Sequence, residues 1–285
     1  EELFWTKQMV KERIRTLHKD LPPNQKVLAE FILNHLEEIS FWSIHNLASQ
    51  AGTSSASVVR LAQRLGYAGY PAMREDVVNI LKTEMNRDHV SRIETLEGDV
   101  LSMVANQDVQ DINETLKQIN RSDFSSAVDS ILTAKRVYTA GLGISNLMSE
   151  ILAYQLNQVG IAASSLRAGT TSFLEQLAFF EKTDLLITFS YPPYSEVTIE
   201  LAKLSRKKGT KVLAITNKPA APITFHSDIS LQVKSENVLF TNAFAAISVI
   251  INALATECAH RDKTKAQLML SHFQTINGIS DEQNA

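Results

Sequence analysis

Two stretches of the chain put glycines and small hydroxyl residues where an anion can be held. The first is Gly141-Leu142-Gly143-Ile144-Ser145-Asn146. Glycines let backbone N–H groups approach a negative ligand, and a helix that starts there adds the positive end of its dipole. Ser145 and Asn146 add hydrogen bonds. A tight turn with an N-cap serine accounts for the same pattern. A dinucleotide site asks for G-x-G-x-x-G with an acid downstream, and Asn146 stands where the third glycine belongs. The second stretch is Ser190-Tyr191-Pro192-Pro193-Tyr194-Ser195. Ser190 and Ser195 are candidates to bind phosphate oxygens, and a capped helix after a rigid proline loop explains them equally. At a third junction, residues 167–172, Arg167 is either a counter-charge or a solvated surface cation.

A different chemistry is written into residues 43–65, SIHNLASQAGTSSASVVRLAQRL. Ser43 suits an N-cap, and Ile44, Leu47, Ala48 and Ala51 share one helical face. Gly52 accepts the left-handed backbone of a sharp turn. A second helix, capped by Ser54 or Ser55, turns Val58, Leu61, Ala62 and Leu65 inward. Ala48, Gly52 and Val58 have the spacing of a helix-turn-helix, although a helical hairpin of another bundle shares it. Ser54 at the cap and Ser55, Ser57, Arg60, Gln63 and Arg64 on the outer face can then reach phosphates and base edges.

These residues need elements to carry them. The chain has 285 residues, 44% hydrophobic and 21% charged, enough for two folded domains. Its net charge of −3 gives no global pull toward nucleic acid, so any DNA affinity must be local. Between Asn46 and Met73 the only charged residues are Arg60 and Arg64, with Arg74 next. The single cysteine, Cys258, reads as a buried helix residue and fits a reducing cytoplasm. No signal peptide and no apolar run of about eighteen residues is visible, so a soluble cytoplasmic protein without membrane contact is expected.

The N-terminal part reads as all-helical. Met9–His18 is amphipathic, and Pro22-Pro23 starts a helix through residues 24–35 with a buried stripe of Val27, Leu28, Phe31, Ile32 and Leu36. The helix-turn-helix follows, then a helix from Pro71 to Met85. Residues 86–99 read as a linker, and residues 100–121 as a helix with a stripe of Leu101, Val104, Val109, Ile112, Leu116 and Ile119. Beyond it, β-branched runs at 136–140, 161–164, 184–190, 211–216 and 228–233 alternate with helices at 145–159, 171–180, 195–208 and 242–260. That alternation predicts a five-stranded parallel sheet covered on both faces, with ligand at the carboxyl ends of the strands.

The segment ASQAGTSSASVVRLAQRLGYAGYPAMRE resembles the DNA-binding domain of the RpiR/MurR family of bacterial regulators. GLGISN, DLLITFSYPPYS and ELAKLSRKKGTKVLAITN resemble the sugar isomerase (SIS) domain that this family carries. The resemblance runs from about Val10 to His260. It implies an all-α helix-turn-helix domain, residues 1–85, then a linker and connecting helix, 86–121. An α/β SIS domain, 122–262, and a C-terminal tail, 263–285, complete the chain. It also implies a regulator that binds operator DNA and senses a phosphorylated sugar, working as a homodimer or dimer of dimers. The alternative is a sugar-phosphate isomerase with an accessory helical domain.

Carried over by position, Ser145 matches the serine of the first SIS phosphate loop and Ser190 the first serine of the second. Gly141, Gly143, Asn146, Tyr194 and Ser195 complete the expected ligand set. The second loop commonly reads S-x-S-G-x-T. Here Pro192 replaces its second serine, Pro193 its glycine, and Ser195 stands in for its threonine. Two prolines remove two N–H donors, which widens the expected effector to a sugar acid or polyol. An isomerase needs an acid or base beside the sugar carbonyl. Glu175, His226, Glu236 and His260 lie near loops and helix ends, yet no flanking pattern singles any of them out. No catalytic residue is assigned, and the chain is read as a non-enzyme. The histidines have no metal-ligand spacing, so neither a metal nor a cofactor is expected.

Overall fold

The computed structural model describes residues 10–81, 97–167, 171–236 and 243–283. It divides into two compact units, within residues 1–95 and 96–285. The expected linker lies largely outside the described residues.

The first unit is helical. Helix α1 (Val10–Leu17) ends in a 3₁₀ turn, and Pro23 opens α2 (Pro23–Asn34) at a position whose N–H would be unpaired anyway. A short α3 (Leu36–Ile39) leads to α4 (Ile44–Gln50) and α5 (Ser55–Arg64), and α6 covers residues 70–81. Their core joins Ile14, Leu28, Ile32, Leu47, Val58, Leu61, Met73 and Val77. Val27 departs from the expected stripe: it is 63% exposed, and Ala29 is buried instead.

The second unit opens with α7 (Val100–Gln118), capped by Asp99. The expected helix of residues 100–121 breaks at Ile119, because the Asn120 side chain accepts from the amides of Ser122 and Asp123 and starts α8 (Arg121–Thr133). Most of the expected stripe on α7 is solvent-facing, Leu101 at 80% exposure. Strands β1 (Val137–Ala140), β2 (Ala163–Ser165), β3 (Leu185–Ser190), β4 (Lys211–Thr216) and β5 (Ile229–Gln232) form one parallel sheet in the order β2-β1-β3-β4-β5. Central β3 is buried throughout, as a strand covered on both faces must be.

On one face α9 (Ile144–Gln158) lies over β1, β2 and β3, α8 over β5, and α12 (Ala245–Arg261) against α7, α8 and α9. Leu185, Ile187, Phe189, Leu213 and Ile215 point into that core. The alternate residues Leu186, Val212 and Ala214 serve the other face, where α11 (Glu196–Lys208) buries Leu201 and Ala202. The helix expected over residues 171–180 shrinks to α10 (Phe173–Gln176) and a 3₁₀ turn. Residues 263–283, expected as a tail, form helix α13 (Lys263–Gln283). Ile247, Ile250, Ile251 and Leu254 of α12 fill the core, which accounts for the apolarity of that helix.

Candidate functional site

The helix pair of the first unit is built from local sequence. Ser43 Oγ accepts from Asn46 N at 3.2 Å and starts α4. Gly52 turns the chain at φ +62°, and Thr53 N donates to Ala48 O at 2.8 Å, closing the end of the helix. Ser54 Oγ accepts from Ser57 N at 3.2 Å and starts α5. With Val58, Leu61 and Ala62 buried, α5 presents Arg60, Gln63 and Arg64 to solvent, with Ser55 and Ser57 partly exposed. The six expected recognition residues thus lie along the outer side of one helix and its cap. They are also wired to one another. Ser57 Oγ meets Ser54 Oγ at 3.0 Å and accepts from Arg60 Nη2 at 3.1 Å, and Arg64 Nη1 donates to Gln25 at 3.2 Å.

One long-range contact reaches the end of α5, and two more bind the elements around it. Arg13 is buried, donates from Nη1 to Leu65 O at 2.9 Å and lies 4.4 Å above the Tyr67 ring. Asp76 accepts from Tyr67 Oη and from Val10 N. Tyr70, 4% exposed, donates to Trp42 O at 2.6 Å. Both tyrosines therefore pack within the unit. Burial and the Asp76 bond push the Tyr67 hydroxyl well above the usual phenol range.

In the second unit the strand order reverses direction between β1 and β3, and ligands of open α/β sheets bind in the crevice at such a switch point. Ala140 pairs with Thr188, so residues 141–144 and 191–195 leave the sheet from neighbouring strands. Each glycine of the first loop has its own reason. A Cβ on Gly141 would lie 2.6 Å from the Ser145 carbonyl, so the residue admits the start of α9 against the strand. Gly143 takes φ +60°, a conformation side chains disfavour. Ser145 is 6% exposed, and its hydroxyl has no hydrogen-bond partner among the described residues.

Ser190 ends β3. Its carbonyl accepts from Thr216 Oγ1 at 2.6 Å, while its own Oγ is buried and has no partner among the described residues. The Tyr191 hydroxyl is likewise buried and without a partner among them. The Pro192-Pro193 peptide is cis. Tyr194 donates to Asn217 Oδ1 at 2.7 Å and so ties the loop to the end of β4. Ser195 Oγ caps α11 by accepting from Thr198 N at 3.2 Å.

A cavity of about 450 Å³ opens beside the first loop, lined by Leu142, Gly143, Asn146, Glu150, Arg167 and Phe173. It brings together Gly143, Asn146 and Arg167 of the expected residues. Gly141, Ser145, Ser190, Tyr194 and Ser195 do not line it. Glu150, one turn beyond Asn146 on α9, escaped sequence reading because its charged partner, Arg167, is delivered by another element. Its Oε1 accepts from Asn146 Nδ2 at 3.0 Å and faces Arg167 Nε at 3.2 Å. None of the four acid/base candidates lines this cavity. Glu175 closes a capping box with Ser172, His226 ends a 3₁₀ turn, Glu236 lies 3.6 Å from Lys234, and His260 lies 3.5 Å from Glu257. Burial holds the His226 imidazole below its ordinary range. Among the described residues no helix is long and apolar enough to cross a membrane.

Comparison with known proteins agrees with this division. Residues 8–84 match the helix-turn-helix domain of the rpiR family, and residues 130–257 match the SIS domain. The chain is 27% identical to the uncharacterized HTH-type transcriptional regulator YfhH of Escherichia coli (strain K12) over 275 residues, 95% of this chain and 92% of that one. It is 24% identical to an uncharacterized HTH-type transcriptional regulator of Clostridium perfringens over 221 residues, 76% and 78% of the two chains. The sugar isomerase domain of an RpiR transcription factor from Sphaerobacter thermophilus superposes with a TM-score of 0.60 at 25% identity, covering 62% of this chain and 99% of that one. The NanR protein of Vibrio vulnificus, solved in complex with ManNAc-6P, shares the fold with a TM-score of 0.69 at 23% identity, covering 94% and 97%.

Proposed function

We propose, from the premise that this chain belongs to the RpiR family of helix-turn-helix transcriptional regulators with a SIS domain, that it is a cytoplasmic metabolite-responsive regulator and not an enzyme. Its first unit, residues 1–85, binds operator DNA through Ser54, Ser55, Ser57, Arg60, Gln63 and Arg64. Its SIS domain, residues 122–262 within the second unit, binds an anionic sugar derivative, a sugar phosphate or sugar acid, at the mouth between β1 and β3. Gly141, Gly143, Ser145, Asn146 and Ser190 form that mouth, with Tyr194 and Ser195 shaping its far side. The chain acts as a homodimer, since a two-fold protein reads a two-fold operator. The effector works by preferring one arrangement of the DNA-binding units, for a ligand with equal affinity for both shifts nothing.

The observation that carries this reading is the buried, unpartnered Ser190 Oγ at the carboxyl end of β3. A buried hydroxyl left without a partner costs stability, and such groups call for an explanation such as a ligand. The hydroxyl of Ser145, in the first turn of α9, also has no partner among the described residues. Pro192 and Pro193 have no N–H, so on the second loop the Ser190 hydroxyl takes on more of the contact with the anion. The ManNAc-6P bound by NanR supports a phosphosugar as the effector class.

Ser190→Ala is the test. If the hydroxyl serves only the ligand, the free protein melts at the same temperature or slightly higher. The thermal shift given by the best compound in a screen of phosphosugars, sugar acids and polyols is then lost. A variant that melts lower yet keeps the full shift overturns the assignment. Incubation with ketose and aldose phosphates is expected to leave them unchanged; measurable isomerisation would replace the regulator by the enzyme.

A further inference from the structure

We propose that Asn146, Glu150 and Arg167 form a polyol-reading wall, which takes the hydroxylated carbon chain of the effector while its single anionic end lies toward Ser145 and Ser190. The inference rests on the sensing function proposed above and adds which chemistry meets which side of the mouth.

The wall is held from several elements. Asn146 and Glu150 are one turn apart on α9 and therefore share a face. Arg167 follows β2, whose exit is fixed where Leu166 N donates to Thr139 O at 2.8 Å. Its own carbonyl accepts from Gln176 Nε2 at 2.8 Å, so the arginine side chain starts from a fixed point. Below them α9 is tied to the sheet: Thr139 Oγ1 donates to Ser149 O at 2.8 Å, and Ser149 Oγ meets Ser165 Oγ at 2.8 Å.

The remaining hydrogen-bonding capacity decides what fits. Glu150 Oε1 is engaged by Asn146 and Arg167. Among the described residues Glu150 Oε2, Asn146 Oδ1 and the terminal nitrogens of Arg167 have no partner. The open face therefore offers two acceptors beside a fork of N–H donors. A pair of adjacent sugar hydroxyls, each able to donate and to accept, complements that set. A phosphate or carboxylate offers acceptors only and would meet the Glu150 carboxylate. The guanidinium charge is already answered by Glu150, and the carboxylate is the more buried partner, 32% exposed against 73%. Leu142 and Phe173, which line the same cavity, give an apolar surface for sugar C–H groups. The cavity, about 450 Å³, falls in the range of small-molecule sites. The effector is thus anionic at one end and neutral at the other, and compounds with an anion at both ends are rejected.

Calorimetric titration of the full chain tests this with hexose, hexosamine and pentose monophosphates, sugar acids, a hexose bisphosphate and inorganic phosphate as probes. The wild type is expected to bind at least one hydroxylated monoanion more tightly than inorganic phosphate, and more tightly than the bisphosphate. Glu150→Gln keeps the shape and removes the charge. It is expected to weaken that compound at least tenfold and to leave inorganic phosphate unchanged or tighter, because Arg167 is freed. A loss confined to the hydroxylated compound, with inorganic phosphate kept or tightened, is something a merely structural glutamate would not produce. If Ser190→Ala loses the sugar compound while Glu150→Gln and Glu150→Ala retain it, the polyol wall is wrong and the sensing reading stands. If no compound exceeds inorganic phosphate, both fall.

Discussion

Gly141→Ala is the sharpest probe of how the mouth between β1 and β3 is built. A Cβ there would lie 2.6 Å from both the carbonyl carbon and the oxygen of Ser145 and 2.7 Å from its Cβ, whereas ordinary contact begins at 3.4 Å. The deficit is 0.8 Å, and two of the three atoms are backbone, so no rotamer change relieves it. Forcing an extra methyl into such a site costs about 1–3 kcal/mol. For a unit of this size that lowers the melting temperature by about 2–12 °C. Both tryptophans, Trp5 and Trp42, precede residue 96 in the sequence. Of these, Trp42 is buried in the core of the first unit, so its fluorescence follows that unit, while circular dichroism is weighted toward the larger second unit. Gly141→Ala is expected to lower the dichroism midpoint and leave the tryptophan midpoint in place. The double variant Gly141→Ala, Ser145→Gly should not recover, because it removes only the side-chain contact. An unshifted dichroism midpoint, or full recovery in the double variant, refutes the close-approach argument.

Other consequences can be checked as directly. Arg60→Ala should weaken binding to a duplex selected against the wild type by about 1–3 kcal/mol if the guanidinium reads a base, and less if it meets phosphate alone; unchanged affinity in fluorescence anisotropy would remove Arg60 from the recognition face. Tyr70→Phe leaves the carbonyl of Trp42 buried without its donor, a loss of about 1–3 kcal/mol, and the tryptophan midpoint should fall by at least about 4 °C. Burial pushes the Cys258 thiol up to about 12, so the folded chain at pH 8 should resist iodoacetamide and react only once denatured; rapid labelling of the native protein would contradict that burial. The sign of the linkage follows: the raised thiol supports folding fully below the unfolded value of 9.0, and this support is lost as pH climbs from there toward 12.

Features set by near neighbours were legible in the sequence. The serine caps of α4 and α5, the turn at Gly52 and the alternation of strands with helices all depend on residues a few positions apart. Strand β4 occupies the expected residues 211–216. What depends on distant partners was hidden. Arg13 reads as a surface charge on an amphipathic helix until Leu65 and Tyr67 close over it. Glu150 has no meaning until β2 delivers Arg167 beside it. The break at Asn120 is local, yet helical periodicity runs through it and masks the cap. Exposure of the α7 stripe shows the same limit, since periodicity tells which residues share a face and not what covers them.

The contact between Arg13 and Leu65 spans 52 positions of the chain. It sets the smallest portable piece of the DNA-reading apparatus. A graft that begins at Ser43, where the helix-turn-helix signature begins, would leave behind the guanidinium that closes the end of α5 and the amide of Val10 that engages Asp76. A chimera that joins this reading head to another sensor must therefore carry everything from α1 onward. Swapping specificity between regulators of this build is an exchange of whole helical modules, not of recognition helices.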